Sequence, residues 1–371
     1  MSETLAGTKR LIVKIGSSLL IDEATGELRR AWLEALIEDA AQLRQKGSEV
    51  LIVTSGAVGL GRRLLKLPSG PLGLEAKQAA AAVGQIRLAH IYQETAALHG
   101  ITVAQILLTP EDTEERRRHL NARATLEQLL ALKALPVINE NDTVATAEIR
   151  FGDNDRLAAR VAQMISADTL VLLSDIDGLY TADPRRGGTA AHVPEIREIT
   201  PAVEAMAGRA APGDSSGGMV TKLGAARIAL AAGCRMVIAK GDGLHPLAAI
   251  DKGARVSWFL PSAEPLTARK RWIAGAVNPA GSLVVDDGAA AALKRGTSLL
   301  PAGIVGVEGA FERGDTVCVK ATDGRELARG LSAYSSDDAR AIAGHKSGEI
   351  EAILGYRGRD EMIHRDDLVV T

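Results

Sequence analysis

Residues 11–18 read "LIVKIGSS", an apolar run rich in β-branched residues that stops at a glycine and two serines. Further runs of this kind follow, separated by amphipathic stretches. They are "EVLIVTSG" (49–56), "ITVAQILLT" (101–109), "LPVINEND" (135–142), "TLVLLSD" (169–175) and "CRMVIAKG" (234–241). Strands that are apolar on both faces are typical of buried parallel sheets. The sequence therefore predicts an α/β fold, a mostly parallel open sheet sandwiched by helices.

A helix is predicted between the first two strands. Apolar residues recur there at the spacing of one helix face, and Gly47 stands where such a helix would stop. The apolar positions are Leu33, Leu36, Ile37, Ala40 and Leu43.

Small and polar residues close most of the predicted strands. In an open parallel sheet the carboxyl ends of the strands form the ligand crevice, so these residues should meet. Lys14 ends the first run and is placed to reach a phosphate. Ser55, with the backbone N–H groups of Gly56 and Ala57, is a candidate to hold a substrate carboxylate. Asp175 is a candidate to bind a ribose, or else a simple turn residue.

A second basic loop, "SSGGMVTKLGAAR" (215–227), runs into a predicted helix with Lys222 near its start. Glycine N–H groups and the positive end of a helix favour a polyphosphate, although a flexible surface loop is an equally good interpretation of this stretch alone. It does not match the Walker A pattern. The loop "TSGAVGLGRR" (54–63) has its glycines in the wrong order for dinucleotide binding, which argues against the rival hypothesis of a dinucleotide-dependent reductase.

Bulk composition narrows the function class. The 371 residues are 46% hydrophobic, 24% charged and 3% aromatic, with a formal net charge of −2. These values fit a cytoplasmic enzyme and give no electrostatic reason for a nucleic-acid or membrane partner. The two cysteines, Cys234 and Cys318, are predicted to be buried free thiols. The seven histidines lack metal-ligand spacing, so no protein metal site is predicted.

The C-terminal part changes character. Pro, Gly and charge concentrate near residues 261–282, and short strand-like runs follow. We predict a first domain at 1–262, a linker at 263–277 and a small β-rich domain at 278–371. Residues 275–371 hold 11 Lys and Arg against 15 Asp and Glu. An acidic module releases few phosphate counterions, so we expect no appreciable RNA binding.

Five motifs in chain order resemble the amino acid kinase family. They are "VKIGSS", "VTSGAVGLG", "PVINENDTVATAEIRFGDNDRLAA", "SDIDGLYTADPR" and "GGMVTKLGAA". The tail, through "RKRWI", "GTSLLPAGI", "IAGHKSGEIEAILGY" and "HRDDLV", resembles the PUA module found on some members. PUA modules often bind RNA, so an RNA-binding protein is the alternative from another class.

The resemblance implies ATP-dependent phosphorylation of the γ-carboxylate of L-glutamate to L-glutamyl 5-phosphate, the first step of proline biosynthesis. Family members that act on aspartate, N-acetylglutamate, carbamate or UMP are the alternatives. Mg²⁺ would arrive with ATP. The resemblance also implies a homo-oligomer, a dimer or tetramer, and suggests proline as a feedback inhibitor.

Residue roles follow from the same resemblance. Lys14, Lys222 and Asp155 would be catalytic, with Asp155 orienting both lysines. Asp142 and Asn154 would hold the amino acid, and Asp153 would position the loop. The implied ATP-binding set is Lys14, Gly16, Ser17, Ser174, Asp175, Ser216, Gly217, Gly218, Met219, Val220, Thr221 and Lys222. The chain departs from the family pattern near this set, at Ser215–Ser216 and at Lys240.

Overall fold

The computed structural model describes residues 3–22, 27–144, 154–184, 190–208, 218–265, 267 and 279–370. The chain divides into two compact units. The larger unit comprises Met1–Glu114 and Asn121–Pro265, and the smaller comprises Glu115–Leu120 and Leu266–Thr371. Most of the predicted linker, 263–277, lies outside the described residues, so its limits stay a prediction.

The secondary structure of the larger unit alternates strands and helices. Its strands are β1 Arg10–Ile15, β2 Glu49–Val53, β3 Val103–Leu108, β4 Leu135–Glu140, β5 Thr169–Ser174, β6 Leu179–Tyr180, β7 His192–Val193, β8 Glu195–Ile196, β9 Arg235–Lys240 and β10 Val256–Phe259. Its helices are α1 Ser17–Leu20, α2 Arg30–Gln45, α3 Ala57–Leu64, α4 Leu74–Ala97, α5 Pro110–Glu114, α6 Arg116–Ala131, whose first residues fall in the smaller unit, α7 Asn154–Met164, α8 Pro201–Met206, α9 Met219–Ala231 and α10 Pro246–Asp251.

Eight of the described strands form one sheet, in the order β3-β4-β2-β1-β5-β9-β10-β8. The six strands predicted from the sequence are its parallel centre, which confirms the predicted fold class. The sequence analysis missed β10, which runs antiparallel to β9, and the two-residue strands β6, β7 and β8. These strands are too short to show a periodic pattern.

The sheet is buried on both faces, as its apolar strands require. Leu11, Val13 and Ile15 of β1 pack into one hydrophobic cluster, together with helix α2. Ile12 of the same strand packs into the other cluster, with helices α7 and α9. The alternation of side chains along a strand produces this division.

Helix α2 ends as the sequence predicts. Gly47 follows it with a φ of +97°, a left-handed conformation that glycine adopts without strain. All five predicted apolar positions of this helix are buried. Among the described helices none is long and apolar enough to cross a membrane.

The smaller unit is built on a second sheet with its own core. Its strands are β11 Gly281–Val285, β12 Ile304–Gly309, β13 Thr316–Ala321, β14 Glu326–Leu331 and β15 Leu368–Val370, in the order β12-β11-β13-β14-β15. Its helices are α11 Asp287–Lys294, α12 Ser336–Ile342 and α13 Ile350–Leu354, with short 3-10 helices at Pro301–Gly303, Ser347–Glu349 and Arg365–Asp367. The predicted β-rich character is confirmed. Strand β14 was not predicted, because its sequence "ELARGL" carries charge and glycine.

Two glycines let helices α3 and α4 touch through their backbones. A Cβ atom added to Gly61 would lie 1.7 Å from the carbonyl oxygen of Ala80, and one added to Gly84 would lie 1.7 Å from that of Ala57. No side chain fits at either position. Because α3 begins directly after Ser55 and Gly56, this contact also fixes one wall of the predicted ligand crevice.

We predict that Gly84→Ala lowers the free energy of unfolding by at least about 2 kcal/mol, because the added methyl group forces the two helices apart. Gly224→Ala in α9 is the matched control, since nothing lies within 4 Å of its added Cβ. In the control, the free energy of unfolding should stay unchanged or rise by up to about 1 kcal/mol. Denaturant unfolding of both variants measures the difference, and equal stabilities would contradict the prediction.

Candidate active site

Three predicted catalytic residues meet at the carboxyl edge of the large sheet. The Asp155 carboxylate lies between two ammonium groups, with Oδ1 2.5 Å from Lys14 Nζ and Oδ2 3.3 Å from Lys222 Nζ. Asp155 is 0% exposed, Lys14 6% and Lys222 4%. We call this arrangement the lysine clamp.

The fold explains why these residues meet. Lys14 lies near the carboxyl end of β1, paired with Val53 of β2 and Leu172 of β5. Asp155 occupies the first turn of α7, and Lys222 the first turns of α9. Both helices pack on the same face of the sheet, so their amino ends converge on the end of β1.

The ionisation of Asp155 reflects its two partners. Burial alone raises the pKa of this carboxyl group, but attraction from Lys14 and then from Lys222 outweighs burial, and the pKa lies below the ordinary value of aspartate. With the carboxylate and both ammonium groups charged, the clamp keeps one excess positive charge. A buried excess of this sign favours an anionic ligand.

The amino ends of two helices add to this field. Helix α9 starts at Gly218, which supplies no side-chain cap, and helix α3 starts at Gly56, which has a φ of +103° and likewise caps nothing. Uncapped N–H groups at a helix start attract anions. Thr221 Oγ1 lies 2.7 Å from the Gly218 carbonyl oxygen and 3.1 Å from Asp155 Oδ2, which ties the start of α9 to the clamp.

Asn154 connects the clamp to two strand ends. Its Nδ2 lies 2.5 Å from the Thr54 carbonyl oxygen, 2.8 Å from Ser55 Oγ and 2.9 Å from Asn139 Oδ1. An amide has two hydrogens, so these acceptors share them. Its carbonyl Oδ1 accepts no hydrogen bond from the described part of the chain. Asn154 thus organises the ends of β2 and β4 and keeps an acceptor for a ligand.

The predicted carboxylate-binding turn and Asp142 lie on this same side. Ser55 and Gly56 follow β2 after Thr54, and Ala57 is buried as the first residue of α3. Asp142 follows β4 in a half-buried turn, two residues after Glu140. β2 and β4 are neighbours in the sheet, so both segments lie at one side of Lys14.

The predicted nucleotide residues lie on the other side of Lys14. Ser174 ends β5 and donates from Oγ to Asp175 Oδ1 at 2.9 Å. Lys240 pairs with Ser174 in the sheet register, and its Nζ lies 3.0 Å from Asp242 Oδ2. Both Lys240 and Asp242 are solvent-exposed. Gly16 and Ser17 follow β1 at the start of α1.

Other predicted positions lie outside the described residues. These are Asp153, Ser216 and Gly217, together with Ser215 of the departure from the family pattern. Gly218, Met219, Val220 and Thr221 are described and form the start of α9. Within the described ranges, no group of three or more His, Cys, Asp or Glu side chains is arranged to hold a metal ion.

The sequence analysis assigned no role to two residues that support the site at the ends of β2 and β4. Tyr92 donates from its hydroxyl to Thr54 Oγ1 at 2.9 Å, and Asn139 shares the amide of Asn154. Tyr92 is fully buried in α4, far from any motif. Asn139 lies inside the run "LPVINEND" (135–142), so the sequence gave a signal for it, whereas no signal marked Tyr92.

Comparisons with known proteins cover both units. The amino acid kinase family matches residues 9–240, and the PUA domain matches residues 281–354. Three curated relatives named glutamate 5-kinase or glutamate 5-kinase 1 match almost end to end. They come from Paramagnetospirillum magneticum (66% identity, 99% of each chain), Rhizobium meliloti (61%, 100% of this chain and 94% of the relative) and Rhodospirillum rubrum (60%, 97% and 96%).

We predict that Asp155→Asn destabilises the fold by about 3–5 kcal/mol near neutral pH, because two buried ammonium groups lose their shared counterion. In the parent chain the two lysines hold the pKa of Asp155 below its ordinary value, and the variant lacks this titrating group. At acidic pH the folded parent chain therefore binds fewer protons than its unfolded state, and its stability falls as the pH falls through that range.

The deficit relative to the parent chain should therefore shrink as the pH falls from about 7 to about 3, below the ordinary pKa of an aspartate. Urea unfolding at both pH values measures it. A deficit that stays constant or grows as the pH falls would contradict this account of the clamp.

Proposed function

The chain belongs to the amino acid kinase family, and on that premise we propose that it transfers the γ-phosphoryl group of ATP to the side-chain carboxylate of L-glutamate, forming L-glutamyl 5-phosphate. The observation that carries the chemistry is the lysine clamp, with two buried ammonium groups held by one carboxylate. The choice of glutamate rests on the names of relatives that are 60–66% identical over nearly the whole chain.

The reaction needs no general base. The attacking group is a carboxylate with an ordinary pKa of about 4.3, already ionised at neutral pH. Phosphoryl transfer instead requires in-line positioning of the two substrates and neutralisation of the charge on the transferring group. Both oxygens of Asp155 face ammonium groups. Asp155 therefore acts by holding the lysines in position and not by removing a proton.

The two lysines take different sides of the transferred group. Lys14 lies between the strand ends of the acceptor and donor sides, and we assign it to the oxygens of the transferring phosphoryl group. Lys222 lies at the start of α9, where N–H groups accompany it, and we assign it to the developing charge on ADP. Since these charges grow in the transition state, the lysines should contribute mainly to kcat.

The acceptor side matches the charges of an amino acid. Asp142 supplies a carboxylate for the ammonium group of the substrate. The uncapped N–H groups at the start of α3 and the hydroxyl of Ser55 suit the α-carboxylate, and Oδ1 of Asn154 accepts from a substrate donor. A substrate with an acetylated amine or no amine would leave Asp142 without this partner, which favours glutamate over N-acetylglutamate and carbamate.

The donor side receives ATP with its Mg²⁺ as one substrate complex. Ser174 and Asp175 suit the ribose, and the start of α9 suits the phosphates. Because Asp155 is engaged by both lysines, the ion is expected to be held by phosphate oxygens with few protein ligands.

Other predictions accompany this proposal. We expect a homo-oligomer, inhibition by proline, a cytoplasmic location and no appreciable RNA binding by the smaller unit. A cytoplasmic location agrees with the buried free thiols of Cys234 and Cys318.

The acceptor is tested by ATP turnover with L-glutamate, L-aspartate, N-acetyl-L-glutamate, carbamate and UMP, with hydroxylamine to trap acyl phosphates. We expect hydroxamate with glutamate alone. Turnover that favours another acid would overturn the choice of glutamate and leave the phosphotransferase assignment in place.

We predict that Lys222→Met lowers kcat by at least about a hundredfold, because a buried charge that stabilises the transition state is lost. Binding of glutamate should persist. Lys252→Met, an exposed lysine at the end of α10, is the matched control and should leave kcat within about twofold. An unchanged kcat in Lys222→Met would reject the role.

We predict that Asp142→Asn raises the KM for glutamate about tenfold or more while kcat changes much less, because a charged partner of the substrate ammonium is removed. Initial rates at saturating ATP measure both constants. A fall in kcat with an unchanged KM would assign Asp142 to another role.

A further inference from the structure

The chain segment that follows β5 on the donor side is tied to β10 by one buried hydroxyl. Ser257 of β10 is 0% exposed. Its Oγ accepts from the N–H of Leu179 at 2.8 Å, donates to the carbonyl oxygen of Val193 at 2.5 Å and lies 3.3 Å from His192 Nε2. One side chain thereby connects strands β6, β7 and β10.

The hydroxyl reinforces the small β6–β7 ladder from the side of β10. Thr181 N–H donates to the Ala191 carbonyl oxygen at 2.9 Å, and Leu179 pairs with Val193 two residues along the ladder. Ser257 Oγ bonds to a backbone group of each residue of that pair.

Gly178 lies so close to Ser257 and His192 that no larger residue fits at this position. Its φ is +153°, and an added Cβ would lie 2.4 Å from Ser257 Oγ and 2.6 Å from His192 Nε2. Only glycine fits this backbone and this space. Gly178 therefore packs directly against the Ser257 hydroxyl that holds the turn.

A second anchor holds the same turn at the surface. Asp177 Oδ1 accepts from the Tyr180 hydroxyl at 2.8 Å, and Asp177 Oδ2 lies 3.7 Å from Arg255 Nε. Arg255 and Ser257 are two residues apart, a spacing that places two side chains on the same side of an extended chain. The two side chains that hold the turn, Ser257 and Arg255, thus both come from the amino end of β10.

The direction of β10 brings these anchors to the ligand edge. Val256 pairs with Ala239 in the antiparallel register, so β10 begins where β9 ends. The anchored turn, 175–178, follows Ser174 without a break and contains Asp175, the residue assigned to the ribose.

We propose that Ser257 is a positioning residue for the nucleotide, because its hydroxyl fixes the turn that carries Asp175 at the donor side. The inference rests on the proposed function for the identity of the donor. Ser257 does not touch the reacting atoms, so its effect appears in nucleotide binding and not in the chemical step.

The test measures KM for MgATP, KM for glutamate and kcat in Ser257→Ala. Ser257→Ala removes the bonds of this hydroxyl to the Leu179 N–H and the Val193 carbonyl oxygen, and we expect the KM for MgATP to rise about tenfold. The KM for glutamate and kcat at saturating MgATP should stay within about twofold. A change of all three constants together, or of none, would overturn the proposal.

Ser332→Ala is the matched control for lost stability. Ser332 is 2% exposed in the smaller unit, and its hydroxyl donates to the Tyr334 carbonyl oxygen at 2.7 Å and accepts from the Tyr334 N–H at 3.3 Å. Ser332→Ala therefore removes one donated and one accepted hydrogen bond of a buried hydroxyl, as Ser257→Ala does. The control should leave KM for MgATP unchanged, and an equal rise in both variants would show a general effect of destabilisation and refute positioning.

Arg255→Met keeps the test decisive if Ser257→Ala does not fold, because the Arg255 side chain is 64% exposed. We expect a rise of about threefold in KM for MgATP from loss of the surface anchor. Arg197→Met, which removes an exposed pair with Glu195, serves as its control. Equal constants in Arg255→Met and the parent chain would count against the proposal.

Calorimetric titration with ADP separates this inference from the proposed function. Weaker ADP binding in Ser257→Ala, without glutamate turnover in the parent chain, supports the positioning role and refutes the proposed acceptor. Normal glutamate turnover with equal ADP affinity in both proteins refutes the positioning role and supports the proposed function. Absence of ADP binding in the parent chain refutes both.

Discussion

Two buried ammonium groups share one buried carboxylate, and this interaction fixes the positions of both lysines in the site. Lys14 comes from β1, Asp155 from the start of α7 and Lys222 from the start of α9. Each charge is placed by a different element, so the clamp exists only when the sheet and both helices are assembled. Under the proposed function, the charge of an incoming polyphosphate would add to that of Asp155 in compensating the two ammonium groups.

Adjacent residues hold the two sides of the candidate site. Asn154 holds the ends of β2 and β4, while Asp155 holds the two lysines. Successive residues of a helix point in directions about 100° apart, so one helix start serves both purposes. Any shift of this helix start would move the ends of β2 and β4 and the lysine clamp together, and under the proposed function this would keep acceptor and phosphoryl group in register.

The sequence predicted the parts of the structure that repeat a local pattern. The six central strands, the end of α2 at Gly47 and the β-rich smaller unit all appeared as runs or turns that neighbouring residues define. Strands β6, β7, β8 and β10 did not, because they are short and pair with residues distant along the chain. The family resemblance to amino acid kinases is confirmed by the match over residues 9–240. The structure brings Lys14, Asp155 and Lys222 together as expected, while Asp153, Ser216 and Gly217 stay predictions. Tyr92 and Ser257 could not be found from sequence, since each acts through hydrogen bonds to distant segments.

Strand β10 is the last strand of the large sheet along the chain, and its amino end holds turn 175–178. The acceptor side is built from residues before 155, which leave the ribosome first. The anchored turn, 175–178, is held by residues 255 and 257, which are synthesised after every other strand of the large sheet. Because a domain generally folds as a unit, turn 175–178 is fixed only once the last strand of the large sheet has been synthesised. A chain truncated before β10 would lack both Arg255 and Ser257, which hold this turn.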